Sequence, residues 1–201
     1  MLRLLAALAG IAFACTCAHA GERRYAVLSL LSDQMTIVTH DMATGSSLDR
    51  NRREAFAVPG NVLDKRAVLA IDDALRRAQV KPDAVLLFTS DPAIFAAQAR
   101  LLEDEAGAGS LLASLRPVLQ GAHATHLILA SKYRHDAMLQ FDLATGQVLR
   151  DVPVFASVAL SAARSASGDA WDVMTPQQKA NAIEALIRQE TARAIPDLIA
   201  P

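Results

Sequence analysis

Beyond its first twenty residues the chain has no thiol, because its two cysteines, Cys15 and Cys17, both fall within them. A disulfide framework, a cysteine-ligated metal and a cysteine nucleophile are thereby excluded for residues 21–201. Aromatic residues are almost as scarce, at 4% of the chain with Trp171 the one tryptophan, and a platform that stacks sugars or bases needs several of them. Neither sign of charge prevails: 20 Lys and Arg stand against 21 Asp and Glu, for a formal net charge of −1. Only Arg3 among the basic residues lies within residues 1–20, so the remainder carries about −2, and nothing in that balance attracts nucleic acid or an anionic membrane. After the leader there is no apolar run of the roughly 20 residues that a bilayer crossing requires. Gly-x-Ser-x-Gly elbows and Gly-rich phosphate loops of either common type are also missing.

What is present begins with a leader. Arg3, the apolar run LLAALAGIAFAC and the small-x-small AHA at residues 18–20 form a secretory signal peptide over residues 1–20, cut between Ala20 and Gly21. Lipidation competes, since Cys15 or Cys17 could carry a diacylglycerol. However, Ala12 and Phe13 before Cys15, and Thr16 before Cys17, fit the Leu-small-small-Cys pattern badly. The expectation is a periplasmic, soluble chain without a lipid anchor, folding as one domain over residues 21–201 around an ordinary core.

Two stretches echo each other. HDMATGSSLDR and FDLATGQVLR carry the same Asp-x-Ala-Thr-Gly roughly a hundred residues apart, and each follows two strand-like runs: YAVLSLL and MTIVTHD before the first, HLILASK and AMLQFD before the second. A doubled meander is expected. Gly45 and Gly146 would supply positive φ at the turns, while Asp41 and Asp142 accept bonds from amides two residues on. These aspartates are read first as structural turn residues, since Asp at a hairpin turn is routine.

Between the echoes, helix signals dominate. Ala67, Ile71, Ala74, Leu75 and Ala78 recur on one helical face after Asn61 and Asp64. DAVLLFTS, residues 83–90, is a continuous apolar run of the kind that makes a strand covered on both faces. Asp91 caps a helix with Pro92 at its first position, running to the glycines at 107 and 109. Ser110 opens another helix that contains Pro117 and ends at Gly121. Residues 157–170 read as a Ser- and Ala-rich linker, and Thr175, Pro176 and Gln178 as the capping box of a last helix over 175–195, stopping before Pro196. The fold class is therefore α/β (α+β), a mixed sheet of about five to seven strands with β-hairpins under three or four helices, the last of them docked on it.

Candidate sites are few. His123, His126 and His135, with Asp136, suggest a metal, but Gly121 ends the helix before them, and the run that follows has a strand pattern that need not converge the imidazoles. His40 and Asp41 could serve a small hydrolase with Ser29 or Ser32. Arg50, Arg52 and Arg53 in LDRNRRE form the most basic stretch after the leader and suit an exposed connection that docks an acidic partner. No cofactor is expected.

The segment LQGAHATHLILASKYRHDAMLQFDLATGQVLR resembles periplasmic α/β modules of the TolB amino-terminal, curli-secretion lipoprotein, flagellar T-ring and penicillin-binding-protein-activator type. In those a helix ends, a strand with the flavour Ala-Asp-hydrophobic-Leu-x-Gly follows, and a second strand leads into Asp-x-x-Thr-Gly. Thr125 stands here where the Asp often does, Ala130 or Ser131 where the Gly does, and Asp142, Thr145 and Gly146 complete the pattern. The resemblance spans about residues 24–153 and departs in the additional hairpin SDQMTIVTHD. It implies a non-catalytic α/β sandwich that binds other proteins of the cell envelope.

Overall fold

The computed structural model describes residues 23–32, 34–39, 52–58, 62–78, 80, 83–102, 105–132, 137–154 and 170–200. Its main sheet has five strands: β1 (Tyr25–Leu30), β4 (Val85–Leu86), β5 (His126–Ser131), β6 (Ala137–Asp142) and β7 (Val148–Pro153), in the order β4-β1-β5-β6-β7. β1 pairs in parallel with β4 on one side and β5 on the other, while β6 and β7 continue as antiparallel neighbours. β2 (Gln34–Thr39) and β3 (Arg52–Ala57) form a separate antiparallel ribbon.

Helices cover both faces. α1 (Val62–Arg77) and the long last helix α5 (Pro176–Ile199) bury Val68, Ile71, Leu75, Ala194, Ile195 and Leu198 against Tyr25, Val27, Ile128 and Met138. The opposite face is closed by α2 (Pro92–Ala99), a 3-10 turn at Arg100–Leu102 and α3 (Glu105–Gln120), whose Ile94, Leu101, Leu111 and Leu115 meet Leu28, Leu30, Leu129 and Phe141. β1 is buried along its whole length, as a strand roofed on both sides must be, and it accordingly reads as an unbroken apolar run. A third, smaller cluster joins the ribbon to the layers: Phe56 sets its ring edge-on to Trp171 at 5.7 Å beside Leu63 and Ile183, with Lys179 over the indole at 4.9 Å. Trp171 belongs to a short helix, α4 (Ala170–Val173).

The caps follow the sequence. Asp91 accepts from Ala93 N–H at 2.8 Å, and the Thr175/Gln178 capping box closes reciprocally at 3.3 and 2.8 Å. The second Asp-x-Ala-Thr-Gly is a turn: Asp142 Oδ1 accepts from Ala144 and Thr145 N–H, Gly146 N–H returns to Asp142 O at 2.8 Å, and Gly146 has φ 75. The linker 157–169 and the first turn, with Asp41 and Gly45, lie outside the described residues.

Four expectations are corrected. The first echo is no meander: β1 gives both edges to parallel partners, so β2 leaves it and pairs with β3. Residues 83–90 do not form a doubly covered strand. Only Val85 and Leu86 pair, at the sheet edge, because the chain must turn out by Thr89, whose hydroxyl accepts from Asp91 N–H, for Asp91 to cap α2. α2 stops at Ala99, and α3 begins at Glu105 and passes through both glycines, since Ala108, Leu111 and Leu115 are buried on its inner face. The last helix does not stop before Pro196 but runs on to Ile199. A proline inside a helix costs about 3 kcal/mol. Burial of Ile195 and Leu198, worth roughly 1.5–3 kcal/mol each, offsets it.

Candidate functional site

The chain leaves β1 through α1 toward β4 and later reaches β5, on the other side of β1, through α2 and α3. The crossing helices consequently lie on opposite faces, and the carboxyl ends of β1 and β5 mark the point where strand order reverses, the place at which open α/β sheets hold their ligands. Polar side chains gather there. Asp64, in the first turn of α1, is 5% exposed, and its Oδ1 accepts from the Ser29 hydroxyl and from Leu31 N–H, both at 2.7 Å. From the other face Gln98 of α2, fully buried, donates to Leu30 O at 2.9 Å and accepts from the Ser131 hydroxyl at 2.8 Å. Lys132 Nζ donates to Ser32 Oγ at 2.9 Å, and Ser32 has φ 62, the left-handed region that a serine enters only at a cost of order 1 kcal/mol. Two helices thus pin the last residues of one strand from opposite sides. In front of them opens a recess of about 250 Å³, between Ser29, Asp64 and Lys65 on one side and residues 87–90 on the other.

No family model, curated protein or solved structure matches the chain.

Of the residues singled out from sequence, Ser29 and Ser32 fall at these strand ends, and the other described ones lie elsewhere. His126 opens β5, half-buried, with its ring 5.5 Å from that of Tyr25 and Nδ1 2.8 Å from Thr125 Oγ1. Burial, helped by the Arg23 charge and opposed by Asp142, holds its pKa below the usual histidine value. His123 is exposed in the turn after α3, at φ 48. His135, Asp136, His40 and Asp41 fall outside the described residues, and among those described no three His, Cys, Asp or Glu side chains group as a metal would require. Ser29 and Ser32 are at the strand ends, partnered by Asp64 and Lys132. Arg50 lies outside the described residues. Arg52 and Arg53 are not on a connection but open β3, opposite Thr39 and Val38, because Phe56 anchors that segment as a strand against Trp171.

The sequence marked Asp64 only as part of a helix start and Gln98 not at all, although a further signal was there. Asp64 falls on the same helical stripe as Ala67, Val68 and Ile71, and Gln98 on that of Ile94 and Leu101. A lone polar residue on an apolar stripe is buried and bonded rather than solvated. No helix among the described residues is long and apolar enough to cross a membrane.

Proposed function

We propose that the chain is a non-catalytic periplasmic binding module of the bacterial cell envelope. The observation that carries this is the use made of the polar groups at the strand ends. Asp64 and Gln98 spend hydrogen bonds on fixing the backbone and hydroxyls of β1 and β5, which supports a rigid rim of fixed shape, the requirement of a preorganised binding surface. The leader at residues 1–20 and the resemblance over residues 24–153 support the compartment and the kind of partner. Arg50, Arg52 and Arg53 supply a basic stretch for an acidic partner, and its contribution should fall with salt.

Pull-down from periplasmic extract with the tagged full chain at two ionic strengths tests the reading. A discrete envelope partner is expected. Replacing the three arginines with Ser should weaken its capture, most visibly at low salt. Equal recovery by both versions would remove the arginines from the interface. Intact mass of the exported chain should match cleavage after Ala20, and a diacylglycerol adduct would make it a membrane-anchored lipoprotein.

A second reading, a small envelope hydrolase, is favoured by one feature: the Ser32 hydroxyl, held in strained backbone, contacts Lys132 Nζ, a pairing used by Ser-Lys hydrolases. Turnover of a chromogenic ester that disappears in Ser32→Ala would establish it and displace the module.

A further inference from the structure

The edge strand β4 brings two kinds of surface together. Leu87 N–H donates to Val27 O at 2.9 Å, toward β1. Backbone groups of successive strand residues point to opposite edges, so the N–H and C=O of Leu86 face away from the sheet. Among the described residues no strand pairs with that outer edge. Beside it, Phe88 is 51% and Val85 37% exposed, and Leu69, one helical turn beyond Lys65 on α1, is 56% exposed. Lys65 and Phe88 border the same recess, so the Lys65–Leu69 stripe of α1 flanks β4, and the Arg76–Asp83 pair at 3.2 Å closes the other end. Three of the six large apolar side chains exposed among the described residues thus surround one short edge, a concentration that marks interaction surfaces where scattered single residues do not.

Resting on the binding-module reading, we infer that this edge docks an extended segment of a partner chain, which adds to β4 as an outer strand, lays an apolar side chain against Leu69 and Phe88, and presents a carboxylate to Lys65. An outward amide and carbonyl at strand spacing are satisfied by another strand, whereas a helix has bonded its own backbone internally and leaves them unmet. The carboxylate follows from charge. Lys65 is exposed at the mouth of the recess, whereas Asp64, which also borders it, is 5% exposed and turns Oδ1 to the Ser29 hydroxyl and Leu31 N–H.

Phage-displayed random dodecapeptides panned on the immobilised full chain test this. Selected peptides should alternate apolar or β-branched with polar residues and carry an acidic residue. Phe88→Asp and Leu69→Asp should each weaken their binding at least tenfold. Leu86→Pro, which removes one outward donor but no bond to β1, should do the same, and Lys65→Glu should abolish the preference for acid. Should Leu86→Pro unfold the chain, the two exposed-residue variants decide alone. Absence of any enriched peptide, peptides that bind the variants undiminished, or a dimer of the chain that Phe88→Asp dissociates would each overturn the inference. An envelope partner captured equally by wild type and Phe88→Asp also overturns it and leaves the module standing. If neither version captures a partner, the module reading falls, and the peptide selection still decides the edge.

Discussion

Asp64 concentrates the consequences of a single carboxylate. Asp64→Ala would leave the buried Ser29 hydroxyl and the partly buried Leu31 amide without their acceptor, each at a cost of up to about 1–3 kcal/mol, so chemical denaturation should register a loss of no more than roughly 2–6 kcal/mol. Asp64→Asn, which keeps an acceptor oxygen, should lose less. His126 makes the chain sensitive to mild acid. Its folded pKa lies below its unfolded value of 6.5, chiefly through burial. The unfolded chain therefore takes up the proton first as pH falls, and the stability this group contributes is complete above about pH 6.5 and declines beneath it. Denaturation at pH 7.5 and 5.5 should show a smaller difference in His126→Gln than in wild type, and an unchanged difference would exclude the histidine as the source. Asp142 acts in a lower window. The Thr145 amide, more than the Ala144 amide, holds its carboxyl below the usual value against some burial, so its contribution persists above about pH 3.8 and is lost as pH drops through the folded value.

At the scale of elements, α3 retains a weakness that substitution can remove. Gly109 is exposed, lies inside the helix, and a Cβ there would meet nothing within 4 Å. Gly109→Ala should raise stability by about 0.5–1 kcal/mol, whereas Thr175→Ala, which deletes half of the capping box, should lower it by about 1 kcal/mol; melting curves of the two variants should move in opposite directions. Local rules were legible wherever one residue decides an outcome, as with Asp91 and Thr175 at helix starts, Gly146 at its turn, and the stripe of α1. They were silent where tertiary burial overrules them, as at Gly107, Gly109 and Pro196. Residues 83–90 show another limit, because an apolar run does not announce that Val85 and Phe88 face water while Leu87 does not. Nor did the echo of β1 and β5 reveal that one begins a hairpin and the other does not, since strand pairing depends on partners far along the chain. Gln98 was visible only as an interruption of an apolar stripe, and Asp64 as that and as a helix-start residue; their meeting at the ends of β1 and β5 required the sheet order.

Across the whole molecule, the long last helix is held at both ends. Arg66 of α1 pairs with Glu184 and donates to Ala180 O near its start, while Arg23, just before β1, and Arg150 of β7 donate to the final carbonyls at Ile199 and Ala200. Cations at a helix carboxyl end are favourable by about 0.3–1 kcal/mol each, and here they also join the beginning of the sheet to the end of the chain. The pairing of β1 with β5 has a consequence in time. Tyr25 is opposite His126 and Leu30 opposite Ser131, so at the roughly 5–20 residues per second of synthesis the most apolar strand waits about 5–20 seconds for its longest neighbour to exist. β4 offers it two residues in the meantime. During that interval the nascent segment YAVLSL is an apolar ribbon with no partner of its own length, so the chain's exposure to aggregation is set by the distance in sequence between two neighbouring strands.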